Sequence, residues 1–279
     1  MKIHPRLTKF SSAYTKGSLA QRFALADKIN EKIFGNTVKL YSGKRRNYPA
    51  EIIEDCYNFC TPENKNILFE PVNFPHADKY TGCTEIIEKM GMYAGFVIEL
   101  PFVGNRNINI KLLPTFMHES THVLDFMLNP KFLKNDLDMT NSSLRTECVD
   151  FYEKFFYKFI GNTPELTLKT AYNETVKFLK KIPDYMKITF LNYMRYNMQM
   201  EKHAYSQDTH YARILKKLGK PVGEGELEDY NKTILYSEKI KIVEKLLAQT
   251  IKKEREKLKP LAISERMKST FAFKSPPNE

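Results

Sequence analysis

Two of the chain's six histidines, His118 and His122, stand four residues apart with Glu119 directly after the first, in the run from Leu113 to Leu128. Residues i and i+4 of a helix share a face, so both imidazoles can address one metal ion. Glu119 sits beside the first histidine, where its carboxylate can reach a metal-bound water and not the metal itself. Zinc lowers the pKa of its bound water towards neutrality, and a neighbouring carboxylate can then take the proton. The expected chemistry is hydrolysis assisted by one zinc ion per chain, with Glu119 as general base.

Catalytic zinc sites usually have three protein ligands, so a third must lie elsewhere in the chain. The segment from Pro183 to Leu218 has no Gly or Pro between its ends and reads as one helix closed by Gly219 and Pro221. At about 100° per residue, Phe190, Met194, Met198, Tyr205, Ala212 and Leu215 form one apolar stripe. Glu201 falls in its middle, with Asn197 and Asp208 almost on the same line, whereas Arg195, Lys202, Arg213 and Lys217 face away. A carboxylate directed into a core is costly unless it is paired or binds a metal. Glu201 is therefore the first candidate for third ligand, and the small Ala204 on its face permits a close helix approach. Asp208 could orient a ligand histidine through its free ring N–H. Glu147 is the rival, but it lies with Lys154 and Lys158 on a charged flank of a helix from Ser143 to Ile160. Asp125 is one turn too far along the motif helix to be a ligand and suits an orienting role instead. His203 and His210 project away from the Glu201 face.

His118-Glu-Ser-Thr-His122-Val-Leu-Asp125, followed by Glu201-Lys-His-Ala204-Tyr-Ser-Gln-Asp208, is similar to the paired motifs of gluzincin peptidases of the Mlc titration factor and anthrax lethal factor kind. The resemblance covers the two helices only. It implies a zincin-like fold, zinc on His118, His122 and Glu201, and Glu119 as base. Those families carry an oxyanion-stabilising tyrosine seven residues before the ligand glutamate. Here that position is Met194, flanked by Tyr193 and Tyr196, so the donor is one of these two or Tyr205.

The elements that must position these residues are legible in outline. Pro114 suits a first helical turn and Asn129-Pro130 a stop. Upstream, Tyr93 to Phe102 and Asn107 to Leu113 read as two strands broken by Gly104-Asn105. The stretch from Gly95 to Leu100 is the expected edge strand for an extended peptide. Strand-like segments cluster between Asn66 and Leu113, and helix formers dominate afterwards. The fold class is α+β: a zincin-like, small mixed sheet with the active-site helix, and a mostly helical C-terminal lobe. The expected organisation is a basic arm over 1–26, the zincin-like domain over 27–262, with sheet and motif helix up to about 130, and a tail over 263–279.

At 42% hydrophobic residues the chain has ample material for a core, and no apolar run is long enough to span a membrane. Lys2, Arg6, Lys9, Lys16 and Arg22 precede the first acidic residue, yet no apolar region follows to make a standard signal peptide. Cytoplasmic location, or export without such a signal, is expected. Cys56, Cys60, Cys83 and Cys148 form no C-x-x-C pair, which suits a reducing compartment. The formal charge of +11 is spread along the chain. Lys44-Arg45-Arg46 near Tyr41 and Tyr48 reads as a solvated loop, so a nucleic-acid partner is not expected. The stretch from Tyr236 to Lys259 alternates Lys and Glu around Ile240, Val243, Leu246, Leu247 and Ile251, an amphipathic helix. The sequence thus points to a zinc metallopeptidase acting on a peptide or protein substrate; the alternative is a non-catalytic zincin-like binding or regulatory protein.

Overall fold

The computed structural model describes residues 17–40, 47–49, 66–71, 82–89, 92–100, 107–160, 167–220, 222 and 238–257. Cys56, Cys60, the Lys44-Arg45-Arg46 run and the tail over 263–279 lie outside the described residues. The elements are helix α1 (Leu19–Leu40), strands β1 (Asn47–Pro49), β2 (Asn66–Pro71), β3 (Cys83–Lys89), β4 (Met92–Leu100) and β5 (Asn107–Asn109). Helices α2 (Leu113–Leu128), α3 (Pro130–Thr140), α4 (Arg145–Ile160), α5 (Leu168–Leu179) and α6 (Asp184–Lys217) follow, with a last helix, α7, over 238–257. The class is α+β, mostly helical with small sheets. No helix among the described residues is long and apolar enough to cross a membrane.

The chain forms two compact units, Met1–Lys134 with Gln199–Ser237, and Asn135–Met198 with Glu238–Glu279. In the first, β4 is the middle strand of a three-stranded sheet, parallel to β2 on one side and antiparallel to β3 on the other. This corrects the expectation that Gly95 to Leu100 forms an edge: both hydrogen-bonding sides of that stretch are occupied, and among the described residues β2 and β3 are left on the outside. Phe96, Ile98 and Leu100 alternate along β4 and are fully buried, the period-2 pattern of a face packed on a core. Phe96 and Phe126 of α2 meet with ring centroids 6.0 Å apart, which places that core face against the motif helix. The second expected strand is shorter than its Ile and Leu content suggests. Only Asn107–Asn109 is extended, paired with β1, and Ile110–Leu112 already form a 3-10 turn that leads into α2. Pro114 at the start of α2 favours this helical entry.

Every residue of α2 except His118 is buried. An apolar helix buried all round leaves its polar residues dependent on partners from neighbouring elements. α1 supplies several. Phe23, Asp27, Asn30 and Phe34 fall on one stripe at spacings of four, three and four. Asn30 Nδ2 donates to Thr121 Oγ1 at 2.7 Å, and Thr121 Oγ1 donates to the Met117 carbonyl at 2.6 Å. Residues 19–26, read from their charge as part of a basic arm, form the first turns of this helix.

The long helix α6 contributes residues 184–198 to the second unit and 199–217 to the first. Of its expected stripe, Phe190, Met194, Met198, Ala212 and Leu215 are buried, whereas Tyr205 is only half-buried. It ends at Gly219, whose φ of 65° lets the Lys220 N–H reach the Leu215 carbonyl at 2.9 Å and the Gly219 N–H reach Lys216 at 3.0 Å. This pair of bonds satisfies carbonyls a helix end otherwise leaves open. Within the second unit, Phe151, Phe178 and Phe190 make an aromatic cluster. Ile240, Val243, Leu247 and Ile251 of α7 are buried, whereas Leu246 at the edge of its apolar face is half-buried.

Candidate metal centre

The first turns of α2 present His118 and His122 on one face, and α6 brings Glu201 to meet them. His118 Nε2 and His122 Nε2 lie 3.2 Å apart. Glu201 divides its carboxylate between them, Oε2 at 3.6 Å from His118 Nε2 and Oε1 at 3.6 Å from His122 Nε2. Ligands about 2.0–2.1 Å from a tetrahedral ion stand roughly 3.3–3.4 Å from one another. The three side chains thus stand at separations close to those between ligands of one zinc ion, the two 3.6 Å distances ending on different oxygens of the carboxylate. Glu147, the rival carboxylate, is exposed on α4 and is not part of this group.

The electrostatics of the cluster also favour a cation. Burial disfavours charge on His118, but Glu201, Glu119 and Asp208 outweigh it and push its pKa up to about 9. Burial pulls His122 down to about 4, with the charge of His118 acting in the same direction and Glu201 against it. Burial likewise works against an ionised Glu201, yet the two imidazoles hold its pKa below the usual carboxylate range. The three facing groups thus favour positive charge between them, which a divalent ion would supply. Asp208 Oδ2 lies 3.9 Å from His118 Nδ1, in range to stabilise the ring that carries this charge but beyond a direct hydrogen bond. Tyr205 sets its ring edge-on to His118, with centroids 4.8 Å apart. Tyr193, by contrast, is buried edge-on against Tyr152.

Glu119 is not one of the three grouped residues. Its pKa is raised to about 7, chiefly by burial, against the pull of His118 and of a hydrogen bond from Thr84. Thr84 Oγ1 donates to Glu119 Oε2 at 2.7 Å and is also 3.1 Å from the Glu119 carbonyl oxygen. Thr84 comes from β3, which lies against α2 at this point. A carboxyl that titrates close to neutrality is suited to take up and return a proton.

Behind the three grouped residues, His203 occupies a position that helical projection had turned away from the site. It is buried between two aspartates, with Nδ1 at 2.9 Å from Asp125 Oδ2 and Nε2 at 2.7 Å from Asp27 Oδ1. Phe23 stacks on its ring at 4.2 Å. Burial opposes its charge, but the two carboxylates push its pKa up to about 10. The cluster ties α1, α2 and α6 together two residues from Glu201. Asp125 takes the orienting role its position suggested, while Thr84 had no local signal. His210 is exposed.

A second set of ligand-type atoms, on Cys83, Glu85 and Glu99, lies on β3 and β4. Cys83 faces Glu99 across the antiparallel pair, and burial, then the charges of Glu119, Glu85 and Glu99, push its thiol up to about 12. No protein-family model, curated protein or solved structure matches this chain.

Proposed function

We propose that this chain is a zincin-like, zinc-dependent peptidase. The observation that carries the reading is the triangle of His118, His122 and Glu201, with side-chain separations of 3.2, 3.6 and 3.6 Å, beside a buried Glu119 that is not one of its corners. His118, His122 and Glu201 would hold the ion. When bound, zinc supplies a Lewis acid and a water made acidic enough to deprotonate near neutrality.

The remaining roles belong to the chain's own groups. Glu119 takes the water's proton on a carboxylate oxygen and returns it to the leaving amine nitrogen, so the base ends the cycle as it began. Thr84 occupies Oε2, which leaves Oε1 as the oxygen for that transfer. Tyr205 is the tyrosine that lies on a ligand ring, which makes it the best-supported candidate to donate a hydrogen bond to the developing oxyanion. Strand β3 is, with β2, one of the two outer strands of its sheet among the described residues, and an extended peptide alongside β3 would pass next to Glu119.

Replacing Glu119 by Gln separates this reading from a binding protein that only holds metal. The variant should keep zinc at the parental affinity and lose hydrolysis of a mixture of internally quenched peptides. Parental turnover in Glu119→Gln would defeat the proposed mechanism.

A further inference from the structure

We propose that Gly82 and Thr84, at the start of the outer strand β3, are positioning residues that clamp the general base; this rests on the peptidase reading above. Three observations converge on the clamp. The first is the hydroxyl of Thr84, which stands 2.7 Å from Oε2 and 3.1 Å from the carbonyl oxygen of the same glutamate. A threonine hydroxyl has a single proton to donate, and the ionised carboxylate is the stronger of the two acceptors. One hydroxyl therefore ties the end of the Glu119 side chain to a point beside its own backbone, and the side chain loses its freedom to swing.

The second observation is the bareness of Gly82. A Cβ added there would stand 2.9 Å from Thr115 Cγ2, 3.0 Å from Leu100 Cδ2 and 3.1 Å from Glu119 Cγ. Thr115 and Glu119 are successive residues on one face of α2, four apart. The strand backbone lies so close to that face that an added Cβ would have to displace Thr115 Cγ2 and crowd Leu100 Cδ2 and Glu119 Cγ, so glycine lets the backbone confine the Glu119 methylenes. The third is the place of β3 on the outside of the sheet, paired only with β4 among the described residues. The strand offered to a substrate main chain is thus the strand that fixes the base. Peptide and base take their positions from one backbone segment, and registration between them needs no further element.

Thr84→Val keeps the β-branched shape and removes the donor; Thr84→Ser keeps the donor. With zinc loaded, Thr84→Val should bind the metal as tightly as the parent in chelator competition, since Thr84 touches no ligand. Its kcat on the quenched-peptide mixture should fall roughly 10- to 100-fold at little changed KM, the range typical for outer-shell partners. Thr84→Ser should restore most of the rate. A second readout uses metal-free protein and no substrate. Thr84→Val should lower the melting temperature by about 2–4 °C in the parent, yet leave it unchanged or raised in a Glu119→Met background, where no carboxylate is left unpaired. Equal losses in the two backgrounds would overturn the clamp, as would parental kcat in Thr84→Val or a Thr84→Ser enzyme as slow as the valine form. If the zinc-loaded parent hydrolyses no peptide, the peptidase reading fails, and the metal-free pair of backgrounds still decides whether Thr84 holds Glu119.

Discussion

Replacing His203 by Leu tests how the site is held together, and the structure sets the order of the effects. His203 is 8% exposed and Asp125 is fully buried, whereas the Asp27 side chain is 43% exposed. Removing the imidazole leaves the Asp125 carboxylate in the core without its 2.9 Å partner. Breaking a buried pair from one side costs about 3–5 kcal/mol, because the remaining charge is uncompensated. Asp27 can turn to water, so Asp27→Ala should cost about 0.2–1 kcal/mol, the range of an exposed ion pair. Asp125→Leu falls between, at roughly 1.5–3 kcal/mol, since the remaining histidine can shed its proton and keep Asp27. The double variant Asp125→Leu/His203→Leu removes both buried polar groups and should be more stable than His203→Leu alone. Urea unfolding in EDTA, followed by circular dichroism because the chain has no Trp, measures these differences without metal linkage. The reasoning is refuted if Asp27→Ala costs as much as His203→Leu, or if the double variant is the least stable of the set.

The same cluster dictates a pH dependence. His203 is raised from 6.5 to about 10 on folding, so its stabilisation is fully present below 6.5 and is lost as pH rises towards 10. The parent should lose stability relative to His203→Leu with a slope of up to about 1.4 kcal/mol per pH unit across that window; parallel curves would show that His203 is not charged in the fold. At the metal site, Glu201→Ala should weaken zinc binding far more than Glu147→Ala, with Asp208→Ala losing roughly 10–100-fold in a chelator competition. A severe Glu147→Ala effect would mean that the third ligand is not Glu201. Cys83, with its thiol raised to about 12, should resist iodoacetamide at pH 8 until urea is added; rapid labelling of the folded protein at that residue would show it to be neither buried nor crowded by carboxylates.

The residues of the candidate site were legible because their patterns are local. His118, Glu119 and His122 share one turn of helix, and Glu201 betrayed itself as a carboxylate on an otherwise apolar stripe, where burial without a partner is costly. Helical periodicity also located α4 and α6 to within a few residues of their observed limits, and all the described residues of α7 fall within its expected span. Sheet order was not legible. Gly95 to Leu100 has the composition of a strand, but nothing in those residues tells whether one side or both will be paired, and pairing made it the middle strand. Thr84 and Gly82 were missed for a related reason, since their importance arises from contact with a helix 35 residues later in the chain. Asp27 and His203 are separated by 176 residues. Projecting His203 on its own helix showed that it leaves the Glu201 face, but not that α1 waits there with a carboxylate. The spacing of Phe23, Asp27, Asn30 and Phe34 held the signal, but an arm ending at residue 26 cut Phe23 off from the other three.

Metal stoichiometry tests the central claim most directly. Purified protein, stripped with chelator and dialysed against zinc, should retain about one zinc per chain by elemental analysis. The His118→Ala/His122→Ala variant, treated identically, should retain none. Stoichiometric zinc in that double variant, or a folded parent that holds no zinc, would contradict the assignment of His118, His122 and Glu201 as a metal centre.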